Sequence, residues 1–250
     1  MEPICNNPEI KTKQSFRAPR EIPVWKRTLD ILCCVVAFPI LAVCVLMMTI
    51  VTSLVSPGPV FFRQERVGFR GQRFKIFKFR TMSVSADTRV HQDYFKELMQ
   101  TNAPMVKLDS RGDSRLIPFG WLLRASGLDE LPQIINIFRG DMTLVGPRPC
   151  IPAEFEQYLP WQRERFNAVP GLTGLWQVSG KNRTTFEDMI RFDIQYTRTL
   201  SLPLDLKIIL LTPVALYTQI QDTRARRKAS AAPAVAHAGM AKPRPSLSSR

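Results

Sequence analysis

The uncharged run ILCCVVAFPILAVCVLMMTIVTSLV, residues 31–55, decides how this chain of 250 residues is organised. As a helix rising 1.5 Å per residue it would be about 37 Å long, enough to cross a hydrocarbon core of about 30 Å. Thirty residues precede the run and Ser56-Pro57-Gly58-Pro59 follows it. A cleavable signal peptide has a short basic start, a shorter apolar stretch and a small-residue cleavage site. We therefore predict a retained membrane helix over residues 28–56.

Basic residues flank the apolar run on both sides, and such residues mark the cytoplasmic face of a membrane. Before the run these are Arg17, Arg20, Lys26 and Arg27, and after it Arg63, Arg66, Arg70, Arg73, Lys75, Lys78 and Arg80. Pro39, in the first third of the run, removes a backbone donor and disfavours a straight helix. Together these observations favour a re-entrant helix that enters and leaves on one face. A spanning helix with a proline kink stays open as the alternative.

The net charge of +14 is unevenly distributed along the chain. Residues 57–80 hold seven basic and one acidic side chain, as do residues 222–250, whereas residues 81–221 hold fifteen of each. An excess placed beside an apolar run and in a tail fits contact with anionic membrane lipid and argues against nucleic acid as the partner. The five cysteines form no C-x-x-C pair, which argues against a structural zinc site or a disulfide framework.

The remaining patterns predict a helix-rich α+β domain over residues 57–221. Two aromatic-rich runs, 60–66 and 74–80, are separated by glycines and predict a β-hairpin. Helices are predicted over residues 86–101, after a capping box of Thr184 and Glu187, and over residues 203–220, the last as an interfacial or core helix. Residues 145–149, VGPRP, predict a rigid loop. Residues 1–27 are predicted to form a flexible basic segment and residues 222–250 a disordered basic tail.

A carboxylate pair is the strongest candidate for chemistry, because the chain has only two histidines, His91 and His237. Asp129 and Glu130 lie in LDELPQ, residues 128–133, where Pro132 belongs in a first helical turn and places both carboxylates at the positive end of a helix. This position keeps Asp129 ionised, as a nucleophile or a ligand of a hard metal must be. A simple helix cap is the alternative interpretation.

Arginines surround the carboxylate pair along the sequence, namely Arg115, Arg124, Arg139 and Arg148. Guanidinium groups near a carboxylate pair indicate a phosphate or pyrophosphate substrate, whose oxygens they bind in pairs. Arg148 is the sharpest candidate because it lies on a rigid loop between Pro147 and Pro149. A structural salt bridge is the alternative for Arg148. Glycine-rich phosphate loops of the common kinds do not occur in the sequence.

Seven ordered motifs between Lys26 and Leu211 resemble the bacterial sugar transferases, the monotopic polyprenyl-phosphate phosphoglycosyl transferases that prime glycoconjugate assembly. The motifs are KRTLD at 26–30, SPGPV at 56–60, FKFRTM at 77–82, LDELPQ at 128–133, RGDM at 139–142, VGPRP at 145–149 and PGLTGLWQVSG at 170–180. Any one alone is a weak signal, but seven in order are highly specific. One departure is Phe38, which stands before Pro39 where the family has serine.

The resemblance implies a monotopic enzyme with a re-entrant N-terminal membrane helix and a catalytic domain at the cytoplasmic face of the bacterial inner membrane. Such an enzyme uses Mg²⁺, transfers a sugar 1-phosphate from a UDP-sugar to undecaprenyl phosphate, releases UMP and starts exopolysaccharide or other glycoconjugate assembly. Asp129 then resembles the nucleophile that is phosphoglycosylated, with a role at the metal as well, and Glu130 its partner. Lys78, Arg80, Arg124 and Arg148 are expected at the substrate phosphates, with Gly146, Pro147 and Pro149 supporting the loop.

Two rival functions stay open at this point. One is a membrane-spanning enzyme that transfers the sugar phosphate directly between its two substrates. The other is a non-enzymatic scaffold whose basic patch recruits anionic lipid. The sequence leaves open the sugar, the pathway and whether the chain forms a homodimer.

Overall fold

The computed structural model describes residues 22–83, 101, 115–118 and 120–231. The helix predicted over residues 86–101 therefore lies almost wholly outside the described residues. Helices in the described part are α1 (Val24–Val55), α2 (Gly120–Ser126), α3 (Ile134–Phe138), α4 (Pro152–Gln157), α5 (Leu175–Val178), α6 (Phe186–Thr199) and α7 (Leu202–Ala231), with 3₁₀-helices at Phe69–Gly71, Leu128–Gln133, Pro160–Asn167 and Lys181–Arg183. Its strands are β1 (Phe61–Val67), β2 (Arg73–Phe79), β3 (Thr143–Val145) and β4 (Gly171–Thr173). The helix-rich α+β class is confirmed.

The predicted β-hairpin is confirmed as β1 and β2, which pair antiparallel from Phe61 opposite Phe79 to Val67 opposite Arg73. The turn needs left-handed backbone at Arg70 (φ 52°) and at Gly71 (φ 76°), a conformation that glycine adopts without steric cost. Alternate side chains of β2 are buried, as expected for a strand with one face on the core.

The strands β3 and β4 pair in parallel, with Thr143 opposite Gly171 and Val145 opposite Thr173. Val145 therefore belongs to a strand, and the predicted loop begins one residue later, at Gly146. The two backbones approach so closely that a Cβ atom added at Gly146 would lie 2.4 Å from the carbonyl oxygen of Val169. Only glycine fits at such a crossing, which explains why Gly146 follows β3 and Gly171 begins β4.

The apolar run forms α1, a single helix that continues through Pro39. Its Cys34, Leu41 and Met48 side chains are buried against the domain. The rest of its surface exposes large apolar side chains, namely Val24, Leu32, Val35, Val36, Ile40, Val43, Leu46, Met47, Ile50, Leu54 and Val55. In the described part of the chain, α1 and α7 are the two helices long and apolar enough to cross a membrane.

Both ends of α1 are attached to the domain by polar contacts. Near its start, Lys26 Nζ donates to the carbonyl oxygen of Val145 (2.7 Å) and forms a buried ion pair with Asp205. One turn later, Asp30 Oδ1 accepts from the backbone N–H of Leu144 (2.7 Å). Beyond its end, the Arg80 guanidinium donates to the carbonyl oxygen of Ser56. The helix is therefore fixed along the domain at both ends.

Some basic residues counted as membrane flanks have other roles in the structure. Lys26, Arg66 and Arg80 are buried, and Arg27 donates to the carbonyl oxygens of Ile137 and Phe138, where α3 ends. A charge count along the sequence does not separate such inward-facing cations from those that remain at the surface. These four residues therefore contact the domain, and the membrane topology that the flanking charges indicate stays a prediction.

Two further expectations need correction. The capping box of α6 consists of Thr185 and Asp188, one residue later than predicted, because the Thr184 hydroxyl instead accepts from Trp176 Nε1 (2.7 Å) and donates to the carbonyl oxygen of Lys181 (3.1 Å). The helix α7 continues to Ala231, so residues 222–231 are helical where a disordered tail is predicted.

Candidate active site

The predicted carboxylate pair lies in a short 3₁₀-helix, Leu128–Gln133, with Asp129 and Glu130 in its first turn. Gly127 has a left-handed backbone (φ 75°) that turns the chain from α2 into this helix. Pro132 lies inside this 3₁₀-helix, and the α-helical α3 starts only at Ile134. The carboxylate pair therefore lies in a 3₁₀ turn, where the sequence predicts the first turn of an α-helix. Asp129 is 8% exposed.

Lys78, expected at the substrate phosphates, forms an ion pair with one of the two carboxylates. Its Nζ atom lies 2.7 Å from Glu130 Oε1, and both side chains are partly open to solvent. The contact joins β2 to the 3₁₀-helix and places a cation beside the two carboxylates.

Asn136, which sequence reasoning missed, explains how the two elements are held together. This fully buried side chain on α3 accepts from the backbone N–H of Phe77 (3.1 Å) and donates to the backbone carbonyl of Lys75 (2.8 Å). It therefore pairs with the edge of β2 as a neighbouring strand would. Because the 3₁₀-helix runs directly into α3, this pairing sets the position of Glu130 relative to Lys78.

Arg148 lies on the loop that follows β3, and two buried arginines bind the loop carbonyls. Arg165 Nη2 donates to the carbonyl oxygen of Arg148 itself (2.7 Å), and Arg66 Nη1 donates to that of Pro149 (3.2 Å). The Pro147 carbonyl accepts from the backbone N–H of Gly171 (2.9 Å). The Arg148 guanidinium lies 5.9 Å from the ring centroid of Trp176. The loop is rigid, as predicted, and the structure gives the reason.

Arg66 links this loop electrostatically to the carboxylate pair. Its pKa is lowered to about 10, first by burial and then by the like charge of Arg148, against the attraction of Glu154, Cys150 and Glu130. Arg66 is 5% exposed and therefore lies in a low-dielectric region where such charges act strongly. Arg66 and Arg148 bring two guanidiniums to this loop, and such groups bind phosphate oxygens in pairs.

Two predicted phosphate ligands occupy other positions. Arg80 is buried and donates to the carbonyl oxygens of Ser56 and Pro57, so its described contacts hold the end of α1. Arg124 lies in the last turn of α2, just before Gly127, and its backbone carbonyl accepts from Gln219 of α7. The phosphate-binding roles of Lys78, Arg80, Arg124 and Arg148 stay predictions.

Sequence reasoning also missed Glu154, Arg165 and Asp193. Glu154 on α4 is 1% exposed, and Arg165 and Asp193 form a buried ion pair. Arg165 stands in the polar segment QRER, which looks like a solvated surface. No spacing along the chain marks these residues, because each meets its partner only through the tertiary fold.

The described residues contain no group of three or more His, Cys, Asp or Glu side chains placed to hold a metal ion. Asp129 and Glu130 nevertheless present adjacent carboxylates with hard oxygen donors. Mg²⁺ commonly binds one or two protein carboxylates together with substrate phosphates and water. The donor set therefore fits a Mg²⁺ ion held jointly by this pair and a bound phosphate.

Comparisons with known proteins identify the family of this chain. The chain matches the family "Bacterial sugar transferase" over residues 22–219. It is 37% identical over 193 residues to the exopolysaccharide production protein ExoY of Sinorhizobium fredii, covering 75% of this chain and 83% of that protein. It is 40% identical over 201 residues to the UDP-glucose:undecaprenyl-phosphate glucose-1-phosphate transferase of Caulobacter vibrioides, covering 77% of this chain and 70% of that one.

Longer relatives match over part of their length. The chain is 35% identical over 205 residues to the undecaprenyl-phosphate galactose phosphotransferase of Salmonella typhimurium, covering 80% of this chain but 42% of the relative. For the galactosyl transferase CpsE of Streptococcus agalactiae the match is 42% identical and covers 34% of the relative. The relatives from Caulobacter, Salmonella and Streptococcus are all named as transferases. The chain belongs to the bacterial sugar transferase family.

Proposed function

We propose that this enzyme transfers a sugar 1-phosphate from a UDP-sugar to undecaprenyl phosphate and releases UMP, as the first step of exopolysaccharide or other glycoconjugate assembly. One observation carries the proposal: Lys78 Nζ lies 2.7 Å from Glu130 Oε1, in the 3₁₀-helix whose first turn also holds Asp129. Cations beside a nucleophilic carboxylate suit attack on a phosphate. The relatives from Caulobacter and Salmonella are named as undecaprenyl-phosphate sugar phosphotransferases, which supports the same reaction.

The first half-reaction forms a covalent intermediate on Asp129. A carboxylate oxygen of Asp129 attacks the β-phosphorus of the UDP-sugar, and the bond from that phosphorus to the bridging oxygen breaks. UMP leaves with the bridging oxygen and its electron pair. The positive charges of Arg148 and Lys78 stabilise the phosphate oxygens on which negative charge builds up.

The second half-reaction transfers the sugar phosphate to the lipid. An oxygen of undecaprenyl phosphate attacks the phosphorus of the aspartyl intermediate, the bond to Asp129 breaks, and the carboxylate is restored. The product is the undecaprenyl diphosphate sugar. Both nucleophiles are anions that need no deprotonation, so Glu130 serves to orient and balance charge.

Mg²⁺, when bound by Asp129 and Glu130, would offset the charge of the substrate phosphates. Lys78 holds Glu130 through its contact with Oε1, which limits the motion of this oxygen donor. The Arg148 guanidinium offers paired N–H groups to phosphate oxygens, while its fixed backbone limits the entropy lost on binding.

We further propose that α1 is re-entrant, with residues on both sides of it at the cytoplasmic face of the inner membrane. The attachment of α1 to one domain near Lys26 and again beyond its end at Arg80 supports this topology, because a helix crossing the membrane would separate its ends. The exposed apolar sides of α1 and α7 would enter the lipid, α7 as an interfacial helix, while surface cations meet anionic headgroups.

The test is UMP release by membranes that contain the enzyme, given a panel of UDP-sugars including UDP-glucose and UDP-galactose. We expect release that depends on undecaprenyl phosphate and on one sugar of the panel. An Asp129→Asn preparation measured in parallel controls for UMP released by other enzymes in the membranes. Release that is independent of the lipid, or equal in the Asp129→Asn preparation, would contradict the proposed function.

A further inference from the structure

The backbone of Arg148 is held by an ion pair that the proposed reaction does not use. Arg165 lies in the 3₁₀-helix Pro160–Asn167 and Asp193 in α6, and their charged groups meet directly with both side chains 1% exposed. The same Nη2 atom of Arg165 donates to the Arg148 carbonyl (2.7 Å), and its Nη1 atom donates to the Tyr158 hydroxyl (2.6 Å).

Asp193 is at the other end of this contact. Burial raises the pKa of Asp193 to about 6, while the Arg165 charge and Arg148 act against that rise. The Asp193 carboxylate meets the same Arg165 Nη2 atom that donates to the Arg148 carbonyl, so Asp193 acts on Arg148 through Arg165.

A buried ion pair seldom adds stability over apolar residues of similar size, because removing two charges from water costs about as much as their attraction returns. The core around this pair contains Phe166, Phe186 and Ile194 and would accept apolar side chains. The pair does fix the orientation of one backbone unit between Pro147 and Pro149.

We propose that Arg165 and Asp193 are positioning residues that hold Arg148 in the orientation that binds the substrate phosphate. The inference rests on the proposed function, since Arg148 must bind phosphate for its orientation to matter. Neither residue touches the substrate in this account. Both act through the backbone of Arg148.

A double-mutant cycle tests this role. Asp193→Asn keeps the size of the side chain and removes its charge. We expect kcat/KM for the UDP-sugar to fall about 100-fold, since small misplacement of a binding group has effects of that order. In an Arg148→Met background the same change should lower kcat/KM by less than about twofold, the scatter expected when nothing is left to position.

The matched control is Arg198→Gln, which breaks the exposed pair with Glu164 (2.6 Å). That pair also joins the 3₁₀-helix Pro160–Asn167 to α6 but does not touch Arg148. We expect its kcat/KM to stay within about twofold of the unaltered enzyme. If Asp193→Asn does not fold in detergent, Tyr158→Phe removes only one hydrogen bond of Arg165, and its loss of about two- to tenfold should likewise vanish in the Arg148→Met background.

The outcomes separate the two claims. Equal losses in both backgrounds, or unchanged kcat/KM in folded Asp193→Asn enzyme, would overturn the positioning role and leave the proposed function standing. Unchanged kcat/KM in Arg148→Met would overturn the phosphate-binding role of Arg148 and the positioning role with it. No turnover of any UDP-sugar by the unaltered enzyme would overturn the proposed function itself.

Discussion

Arg148 is an example of a residue whose chemistry depends on its backbone. Its neighbours Pro147 and Pro149 fix φ on either side, and Arg66 and Arg165 bind the carbonyls of the loop. A guanidinium on such a loop is already oriented before substrate arrives. If it binds the substrate phosphate as proposed, it does so with little loss of backbone conformational entropy.

This account predicts that charge alone does not suffice at position 148. Arg148→Lys keeps the charge, but an ammonium does not reproduce a paired guanidinium–phosphate contact. We expect turnover of the UDP-sugar to fall about ten- to a hundredfold, the size of one lost hydrogen bond to a charged group. Steady-state UMP release measures it, with Arg198→Gln as control. Near-normal turnover would reduce Arg148 to a general electrostatic role.

At the scale of elements, α3 and β2 are joined by the side chain of Asn136 in place of a third strand. Asn136 bonds to the backbone N–H of Phe77 and the backbone carbonyl of Lys75, on the edge of β2 that faces away from β1. Without Asn136 these two groups would lack a hydrogen-bond partner. The pairing also carries the 3₁₀-helix of the carboxylate pair, because that helix continues into α3. We therefore expect the Asn136 side chain to contribute to both stability and activity.

Asn136→Ala should lower both the stability and the turnover of the enzyme. The change leaves buried backbone groups without partners at a cost of about 1–3 kcal/mol each, and it loosens the approach of Lys78 to Glu130. We expect a lower melting temperature and a fall in turnover at temperatures where the variant is still folded. Thermal unfolding in detergent and UMP release measure the two effects. Gln195→Ala on the exposed face of α6 is the control, and an Asn136→Ala enzyme indistinguishable from it would refute this role.

Near the start of α1, one buried ammonium attaches the helix to the domain. Lys26 bonds to the Val145 carbonyl, the Tyr196 hydroxyl and Asp205, and Asp205 is its only acidic hydrogen-bond partner among the described residues. A buried charge that loses its counter-ion is strongly unfavourable.

Asp205→Asn should therefore destabilise the enzyme by about 3–5 kcal/mol. We expect a fall in melting temperature of about 6–20 °C, measured in detergent. Asp222→Asn, which removes a more exposed partner of Arg183 on the same helix, serves as control and should change little. A melting temperature for Asp205→Asn equal to that of the control would contradict the role of the pair.

Features that depend on neighbours in sequence were predictable, and those that depend on the tertiary fold were not. The hairpin follows from its turn glycines, and the carboxylate pair follows from LDELP. The predicted cap of α6 is one residue too early, because Thr184 and Thr185 are each followed by an acid three residues later. Only the contact of Thr184 with Trp176 decides between them. Arg66, Arg165 and Asp193 look like surface charges in the sequence, and their burial comes from the packing of distant segments.

At the scale of the whole molecule, α1 and α7 each expose large apolar side chains. Both helices are long and apolar enough for a membrane, yet the polar contacts near Lys26 and beyond the end of α1 attach that helix along a single domain. A monotopic arrangement satisfies both facts. It would also bring the carboxylate pair to the depth of lipid headgroups, where undecaprenyl phosphate carries its phosphate.

Cysteine labelling tests the topology. With Cys5, Cys33, Cys34 and Cys44 replaced by Ser, a cysteine introduced at Ser15 or at Ser83 should resist a membrane-impermeant maleimide in intact cells and react after lysis. Cys150 should stay silent throughout, because burial raises its pKa to about 12. Labelling of the Ser15 position alone in intact cells would show a spanning helix, and labelling of both would place the domain outside.

The central claim is that Asp129 forms a covalent phosphosugar intermediate, and isotope exchange tests it most directly. Purified enzyme receives UDP-sugar, Mg²⁺ and labelled UMP with no lipid acceptor. The account predicts that label appears in the UDP-sugar, because the first half-reaction is reversible on its own, and that Asp129→Asn abolishes both exchange and turnover. An enzyme that turns over with undecaprenyl phosphate but shows no exchange without it, or robust turnover by Asp129→Asn, would contradict the covalent mechanism.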